Sequence, residues 1–213
     1  MSGAQETRDA SLHIPVMLDE VSAALRPEAG KMLIDATFGN GGYSMHFLNI
    51  ADCHVAALDR DPDAIARGQA MVQAFSGRLS LYEGSFSGIQ QMVAGSNFEQ
   101  VDGIVFDLGV CSTQLDQAER GFSFRLDGPL DMRMTPAGES AGDVVNSYKE
   151  EQIADILWRY GEERFSRRIA RAIVKARTDS PIARTGQLAE IIHSVMPRPV
   201  SYTHLRAHET ETN

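Results

Sequence analysis

The sequence predicts an α/β fold in which parallel strands form a doubly wound sheet. Two observations favour this class. Short apolar runs at 33–37, 54–59 and 101–107, with a weaker one at 78–82, resemble buried parallel strands, and the three stronger runs each carry an acidic residue where a turn begins. Helix-like stretches lie between these runs. Strands that alternate with helices are the sequence pattern of a doubly wound sheet.

The elements follow one another in a regular order up to Asp107. Helices are predicted at 16–25, 43–50 and 62–75, and the third opens with Asp61 as its N-cap and Pro62 at its first position. Residues 108–147 are rich in Gly, Asp, Ser and Pro and predict a loop. Three further helices are predicted near 149–160, 162–177 and 185–195. The fourth strand is therefore expected at an unprotected edge of the sheet.

Composition and charge exclude several classes of protein. The chain has 213 residues, of which 43% are hydrophobic and 23% are charged, as in ordinary soluble globular proteins. It has no apolar run long enough to cross a bilayer and no basic-then-apolar leader, so a cytoplasmic protein without a membrane segment is expected. Cys53 and Cys111 match no metal-ligand spacing and are expected to be free thiols.

The net charge of −9 argues against a broad surface for polyanions. The stretch 159–184 is an exception, because it carries eight basic residues against three acidic ones. Arg164, Arg167, Arg168 and Arg171 recur at helical spacing and predict one basic face, with Lys175 continuing it. This face is a candidate contact for phosphates, and the alternative is a solvated helix surface that pairs with nearby acids.

A glycine-rich turn follows the first predicted strand. Glycine there lets a ligand approach the backbone and the free N–H groups of the next helix. The dinucleotide pattern G-x-G-x-x-G needs a third glycine after Gly39 and Gly41, and the residue is Ser44. A nicotinamide cofactor, and with it an oxidoreductase, is therefore disfavoured. A ligand without a pyrophosphate, such as S-adenosylmethionine, fits better, and the alternative is a tight turn without a ligand.

Two aspartates at strand ends are candidate site residues. Asp59 ends the second strand, where a carboxylate can accept hydrogen bonds from both ribose hydroxyls of a nucleoside cofactor. Asp107 follows the fourth strand and could orient an exocyclic amine for methyl transfer. Each has a structural alternative: Asp59 as a turn residue and Asp107 as a cap of the next turn.

Seven blocks together resemble the bacterial ribosomal RNA small-subunit methyltransferase H family. They are HIPVMLDEV (13–21), DATFGNGGYS (35–44), DRDPDAI (59–65), DLGVCSTQLD (107–116), RGFSFR (120–125), PLDMRM (129–134) and YGEER (160–164). The resemblance implies methylation of N4 of a cytidine in the decoding region of 16S rRNA, with S-adenosylmethionine as cofactor and 16S rRNA or the small ribosomal subunit as partner. It implies a Rossmann-like class I methyltransferase sheet with an inserted helical substrate domain.

The resemblance also assigns site residues. It implies cofactor contacts for seven positions, which are Gly41, Gly42, Tyr43, Asp59, Phe86, Asp107 and Gln114. Asp107 is the expected catalytic residue, no metal is expected, and Phe86 has the alternative of a core phenylalanine. The family commonly has His at the position of Tyr43 and Ser at that of Cys111. The loop at 120–133 offers Arg120, Phe122, Phe124 and Arg133, residue types that stack and bind unpaired bases, although its aromatics could instead anchor the loop.

The resemblance extends from about residue 13 to residue 197, whereas the family continues further and returns to the sheet. The expected domains are a cofactor-binding domain at 1–110, a loop plus helical RNA-recognition domain at 111–199, and a foreign-looking, non-native tail at 200–213. The sheet is therefore expected to be incomplete. The alternative to an active enzyme is a non-catalytic fragment that retains weak binding of cofactor or RNA.

Overall fold

The computed structural model describes residues 15–98 and 100–196. The chain alternates strands and helices up to residue 105 and is helical after it. The elements are α1 (Leu18–Leu25), β1 (Met32–Asp35), α2 (Gly42–Ile50), β2 (His54–Asp59), α3 (Pro62–Ala74), β3 (Leu79–Glu83), α4 (Ile89–Val93), β4 (Gly103–Val105), α5 (Ser112–Asp116), α6 (Ala141–Ser147), α7 (Glu150–Gly161), α8 (Ser166–Arg177) and α9 (Thr185–Val195). Single 3-10 turns lie at Phe86–Gly88 and Ala118–Arg120.

The four strands form one parallel sheet in the order β3-β2-β1-β4. Leu33 of β1 pairs with Val55 on one side and with Gly103 on the other. The chain thus moves outward from β1 to β3 and then returns to the other side of β1. This reversal is a topological switch point, and in open α/β sheets ligands bind beyond the carboxyl ends of the strands at such a point. Within the described residues β4 lies at an edge of the sheet.

Helices and apolar side chains cover both faces of the sheet. Leu33, Val55 and Ala57 pack on one face with residues of α2, and Ile34, Ala56 and Leu58 pack on the other with Val93 and Phe98. This alternation follows from the two-residue period of a strand. Because both faces are buried, the strands appear in the sequence as continuous apolar runs.

The helices after β4 have an apolar cluster of their own. It contains Leu130, Val145, Ile153, Ala154, Ile169, Ala170, Ile173 and Ile182. In α8 the buried residues Ile169 and Ile173 lie opposite exposed arginines, which confirms the predicted amphipathic helix. The domain boundaries at 110 and 199 stay predictions, and the tail at 200–213 lies outside the described residues.

Two of the predicted elements needed correction. The helix predicted at 162–177 begins at Ser166, because Glu162 has a φ of 49° and ends α7 in the left-handed region. The loop predicted at 108–147 contains α5, a 3-10 turn and α6. The start of α6 does have a sequence signal, since the Ser140 side chain accepts from the Asp143 N–H and the Asp143 side chain accepts from the Ser140 N–H. Helix α5 has only five residues, too few to show a helical period.

Candidate cofactor-binding site

A cavity of about 420 Å³ lies at the carboxyl ends of the strands. Its walls come from four segments: the turn after β1, the end of β2, the turn after β3 and the loop after β4. Six of the seven predicted cofactor residues line it, namely Gly42, Tyr43, Asp59, Phe86, Asp107 and Gln114. Cavities of this size hold small organic ligands.

Gly41, the seventh, lies behind the wall as the N-cap of α2. Its φ is 79°, and a Cβ there would lie 2.7 Å from the Cε of Met71 and 2.8 Å from the ring of Phe38. Gly41 has no side chain to cap α2, and no acidic residue lies in the first turn of the helix, although the backbone N–H of Ser44 bonds the Asp35 carboxylate. Because the first N–H groups of a helix have no intrahelical partner, the turn leaves the positive end of α2 available to a ligand.

Asp59 joins the glycine-rich turn to the end of β2. Its Oδ2 accepts a hydrogen bond from the N–H of Gly39 at 2.7 Å, and its Oδ1 accepts one from the N–H of Asp61 at 2.8 Å. Each carboxylate oxygen has a second acceptor site. Asp59 is therefore a turn residue, as one interpretation of the sequence had it, and it still has acceptor capacity facing the cavity.

Asp35 and Ser44 form a buried pair beneath the same turn. The Ser44 hydroxyl donates to Oδ2 of Asp35 at 2.7 Å, and the N–H of Thr37 donates to Oδ1 at 3.3 Å. Burial raises the pKa of Asp35 to about 6, although these hydrogen bonds counteract part of the rise. Ser44, the residue that breaks the dinucleotide pattern, thus serves to hold Asp35. Sequence reasoning missed this pair, and its one signal was an acidic residue at a strand end.

The carboxylate of Asp107 accepts no hydrogen bond from any residue that the structure describes. Its backbone N–H donates to Oγ1 of Thr37 at 2.7 Å, and the Thr113 hydroxyl donates to Oδ1 of Asn40 at 3.0 Å. These two bonds tie the loop after β4 to the turn after β1. Asp107 therefore does not cap the next turn, and its side chain lies exposed on the cavity wall.

The two aromatic residues of the predicted set have different surroundings. Tyr43 is buried, and its hydroxyl donates to the carbonyl of Val16. Burial, together with the negative charges of Asp107 and Asp35, raises the pKa of Tyr43. Phe86 is 41% exposed and packs edge-on against Phe106 with ring centroids 5.6 Å apart. Phe86 is therefore a wall residue rather than a core phenylalanine.

Gln114 belongs to a buried polar network that sequence reasoning did not foresee. Its Nε2 donates to Oδ2 of Asp61 at 2.7 Å, and its Oε1 accepts from the N–H of Cys111 at 3.1 Å. Arg120 donates to Oδ2 of Asp61 at 3.0 Å and to Oδ2 of Asp63 at 2.7 Å. Burial would raise the pKa of Asp61, but the hydrogen bonds from Gln114 and Arg120 outweigh it and leave the pKa below its usual value.

This network changes how the loop at 120–133 is interpreted. The Arg120 guanidinium is held by Asp61 and Asp63, and it lies 5.9 Å from the ring of the half-buried Phe122. Arg133 donates to both carboxylate oxygens of Asp131 and to the carbonyl of Pro136. These contacts favour the anchoring interpretation. RNA contact by Arg120, Phe122 and Arg133 stays a prediction.

The remaining predicted RNA residues are exposed. Phe124 is 70% exposed, and Arg164, Arg167, Arg168 and Arg171 all lie on the surface. Of these four arginines, Arg171 lies near a carboxylate, with its Nε 3.4 Å from Glu150.

Three further observations concern the described residues only. Their His, Cys, Asp and Glu side chains form no group of three that could hold a metal ion. Both cysteines are free thiols. None of their helices has the length and apolar character needed to cross a membrane.

Comparison with known proteins decides the family. A model of the MraW methylase family matches residues 10–210. The chain belongs to the MraW methylase family. It is 58% identical over 186 residues to the ribosomal RNA small subunit methyltransferase H of Gluconobacter oxydans, and the alignment covers 87% of this chain and 57% of that protein. It is 54% identical over 188 residues to the protein of the same name from Rhodospirillum centenum, with 88% and 57% covered.

Membership in the MraW methylase family confirms the resemblance drawn from the seven blocks. Together with the parallel sheet, it confirms an incomplete Rossmann-like methyltransferase fold, and it supports S-adenosylmethionine as the cofactor. The chain spans little more than half the length of these relatives. A solved S-adenosylmethionine-dependent methyltransferase from Thiobacillus denitrificans is similar at 16% identity and a TM-score of 0.36, with 93% of this chain and 92% of that chain covered.

Proposed function

We propose that the chain is part of an S-adenosylmethionine-dependent methyltransferase that modifies N4 of a cytidine in the decoding region of 16S rRNA. Two curated relatives above 50% identity are named ribosomal RNA small subunit methyltransferase H, which supports an rRNA substrate. The cytidine and its N4 atom rest on the family resemblance. An rRNA substrate would put the enzyme in the cytoplasm.

The cavity residues fit the cofactor. The N-terminus of α2 at Gly42 can receive its carboxylate, because helix N-termini favour anions. The unused acceptor sites of Asp59 suit ribose hydroxyls. The exposed ring of Phe86 offers an apolar surface beside which an adenine can stack. When bound, S-adenosylmethionine supplies an electrophilic methyl group on a sulfonium.

The proposal depends above all on the Asp107 carboxylate. It lies on the cavity wall and has no hydrogen-bond partner in the described part of the chain. Its oxygens can accept the N–H groups of an exocyclic amine and aim the nitrogen at the methyl carbon. The same carboxylate would take up the proton that N4 loses when the methyl group passes from the sulfonium to N4 and leaves a neutral thioether. This chemistry needs no covalent nucleophile, so Cys111 has no catalytic role here.

The substrate side of the proposal rests on the basic residues of α8. Arg164, Arg167, Arg168 and Arg171 are exposed on the helical part of the chain, and phosphate contacts supply most of the affinity for a nucleic acid. Phe124, Arg120, Phe122 and Arg133 would contact the RNA from the loop after β4. Free 16S rRNA and the assembled small subunit both remain candidates for the substrate.

A methyl-transfer assay with Asp107→Asn tests the catalytic proposal. The chain would be incubated with S-adenosylmethionine and unmethylated small subunits, and N4-methylcytidine would be measured by mass spectrometry of nucleosides. We expect Asp107→Asn to lower the rate about 100-fold, since the amide cannot hold the amine's proton. Its melting temperature should not change, because the carboxylate has no partner among the described residues.

The matched control is Asp116→Asn, the same change at an exposed aspartate of α5 that does not line the cavity. It should leave the rate unchanged. A full rate in Asp107→Asn would contradict the assignment. Cofactor binding by the wild-type chain without any transfer would favour the alternative, a non-catalytic fragment, which the 57% coverage of the relatives keeps open.

A further inference from the structure

A second cleft lies between the C-terminal half of α7 and the start of α8, and we call it the α7–α8 cleft. Its volume is about 460 Å³, and its walls include Asp155, Trp158, Arg164, Phe165, Arg167 and Arg168. It shares no lining residue with the cofactor cavity. Its arginines belong to the basic face predicted from the sequence, whereas Trp158 had no signal there.

Trp158 is 57% exposed, although α7 does not need it for packing. The buried residues of α7 are Ile153 and Ala154, and these contribute to the apolar cluster of the helical part. The indole stacks on no other aromatic ring among the described residues. A large aromatic face on a cleft wall is the surface on which an unpaired base can stack.

Three arginines share the cleft walls with the indole and have no carboxylate partner, although the guanidinium of Arg164 also lies 5.9 Å from the ring of Phe165. No carboxylate of the described residues lies within 4.0 Å of Arg164, Arg167 or Arg168, whereas Arg159 lies 3.8 Å from Asp155 and Arg171 lies 3.4 Å from Glu150. Arg167 and Arg168 occupy the first turn of α8, where the helix dipole disfavours positive charge. Their position therefore does not serve helix stability.

One acidic side chain among the described residues of the cleft, Asp155, reduces the positive charge of the walls. The Asp155 side chain is two-thirds exposed and lies near Arg159. The charges of three arginines against one aspartate leave the cleft walls with a net positive charge. Positive charge beside an apolar aromatic face matches a nucleotide, which combines a flat base with a phosphate. Double-stranded RNA fits less well, because its bases are stacked inside the helix.

We propose that the α7–α8 cleft binds an unpaired nucleotide of an RNA strand, with the base stacked on Trp158 and the adjoining phosphates on Arg164, Arg167 and Arg168. The inference rests on the proposed function in that rRNA would supply the strand. It adds a docking site for RNA that is separate from the cavity for methyl transfer. The site holds the strand and takes no part in the chemistry.

The protein carries its own probe for this proposal, because Trp158 is the one tryptophan in the sequence. Tryptophan fluorescence would be followed while the chain is titrated with a short unpaired oligoribonucleotide whose end carries a dye for anisotropy. We expect saturable quenching that follows the anisotropy curve. A duplex of the same sequence and a base-free polyphosphate should leave the fluorescence nearly unchanged, since neither offers an unpaired base. RNA binding without quenching would overturn the proposal.

Variants at Trp158 separate stacking from simple bulk. Trp158→Phe keeps an aromatic face and should retain most of the affinity measured by anisotropy, whereas Trp158→Leu should lose about tenfold. The melting temperature of each variant shows that the fold is intact. Equal affinity of Trp158→Leu and the wild-type chain would overturn the stacking contact.

The arginines are tested through salt dependence. A chain with Arg167→Gln and Arg168→Gln should bind RNA with a slope of log affinity against log salt that is smaller by about 1.4. Arg67→Gln, at an exposed position of α3, is the control for a general loss of positive charge and should leave the slope unchanged. An unaltered slope in the double variant would contradict phosphate contact at the cleft.

Separate binding measurements at the two sites distinguish failure of the cleft proposal from failure of the proposed function. Binding of S-adenosylhomocysteine by Trp158→Leu should equal that of the wild-type chain, because the two sites share no lining residue. Quenching by RNA in a chain that binds no S-adenosylhomocysteine would support the cleft and refute the cofactor site. An acidic peptide that quenches Trp158 more tightly than RNA would assign the cleft to a protein partner and overturn the RNA proposal.

Discussion

Three aspartates lie at or just beyond the carboxyl ends of neighbouring strands, and their surroundings give them different roles. Asp35 is buried and bonded to Ser44. Asp59 accepts hydrogen bonds from two backbone N–H groups, whereas the Asp107 carboxylate accepts none from the described residues. Asp35 and Asp59 are the same type of residue, and each is the last residue of its strand. The difference comes from which donors the fold brings to each carboxylate.

Asp35 should make stability depend on pH. Burial raises its pKa to about 6, above the ordinary value of 3.8, so the folded chain holds a proton that the unfolded chain has already lost. Between about pH 4 and pH 6 the unfolded state therefore binds fewer protons, and the free energy of unfolding falls as pH rises, by up to about 3 kcal/mol.

Urea unfolding at several pH values checks this expectation. Asp35→Asn cannot ionise but can still bond Ser44, whose hydroxyl both donates and accepts, so it should lose this part of the pH dependence. Asp116→Asn, at an exposed aspartate, should keep it. Parallel profiles for the wild-type chain and Asp35→Asn would show that Asp35 titrates as an ordinary aspartate.

At the scale of elements, the turn before α2 depends on a glycine for both conformation and space. Gly41 has a φ of 79°, and an added Cβ would meet Met71 and Phe38 at less than 3 Å. Gly77 has the same φ, but an added Cβ would meet nothing within 4 Å. Gly77→Ala therefore measures the cost of the backbone conformation alone, about 1 kcal/mol.

Gly41→Ala should cost at least about 1 kcal/mol more than Gly77→Ala, because the buried side chains around it must move. The free energies of unfolding in urea give the comparison. A loss no larger in Gly41→Ala would mean that the turn has room for a side chain.

A second contact between elements joins the start of α3 to the loop after β4. Arg120 donates a hydrogen bond to the buried carboxylate of Asp61, which also accepts one from the side-chain amide of Gln114. Removing one partner of a buried ion pair leaves a charge without compensation, so Arg120→Gln should destabilise the chain by about 3 kcal/mol. Arg133→Gln breaks a pair that is about one-third exposed and should cost less than about 1 kcal/mol. Similar losses in the two variants would contradict a structural role specific to Arg120.

The same elements show what the sequence can predict. β1 and β2 are apolar between their ends because both faces of the sheet are buried, and each ends in an aspartate. Helix α3 begins where Asp61 and Pro62 indicate, and the Asp61 side chain accepts a hydrogen bond from the N–H of Asp63. The network of Asp61, Gln114 and Arg120 had no comparable signal. Its members are up to 59 residues apart, and only the tertiary fold brings them together. For the same reason, the sequence gives no indication that Asp61 and Asp63 hold the Arg120 guanidinium.

In the molecule as a whole, the basic residues and the cofactor cavity lie in different parts of the chain. The net charge is −9, yet basic side chains without carboxylate partners gather at the α7–α8 cleft among the described residues. The cofactor cavity lies instead at the switch point of the sheet, where the loops after β1, β2, β3 and β4 meet. The sequence predicted most residues of this cavity, because three of the seven matched blocks, 35–44, 59–65 and 107–116, lie where the chain leaves β1, β2 and β4.

We propose that this cavity binds S-adenosylmethionine through the turn after β1 and Asp59. Calorimetric titration of the chain with S-adenosylhomocysteine tests it most directly, with Asp59→Ala for comparison and melting temperatures to confirm that both proteins are folded. We expect saturable binding to one site and at least tenfold weaker binding by Asp59→Ala, because hydrogen bonds to a charged acceptor are lost. A folded wild-type chain that binds no S-adenosylhomocysteine, or equal affinity in the variant, would contradict it.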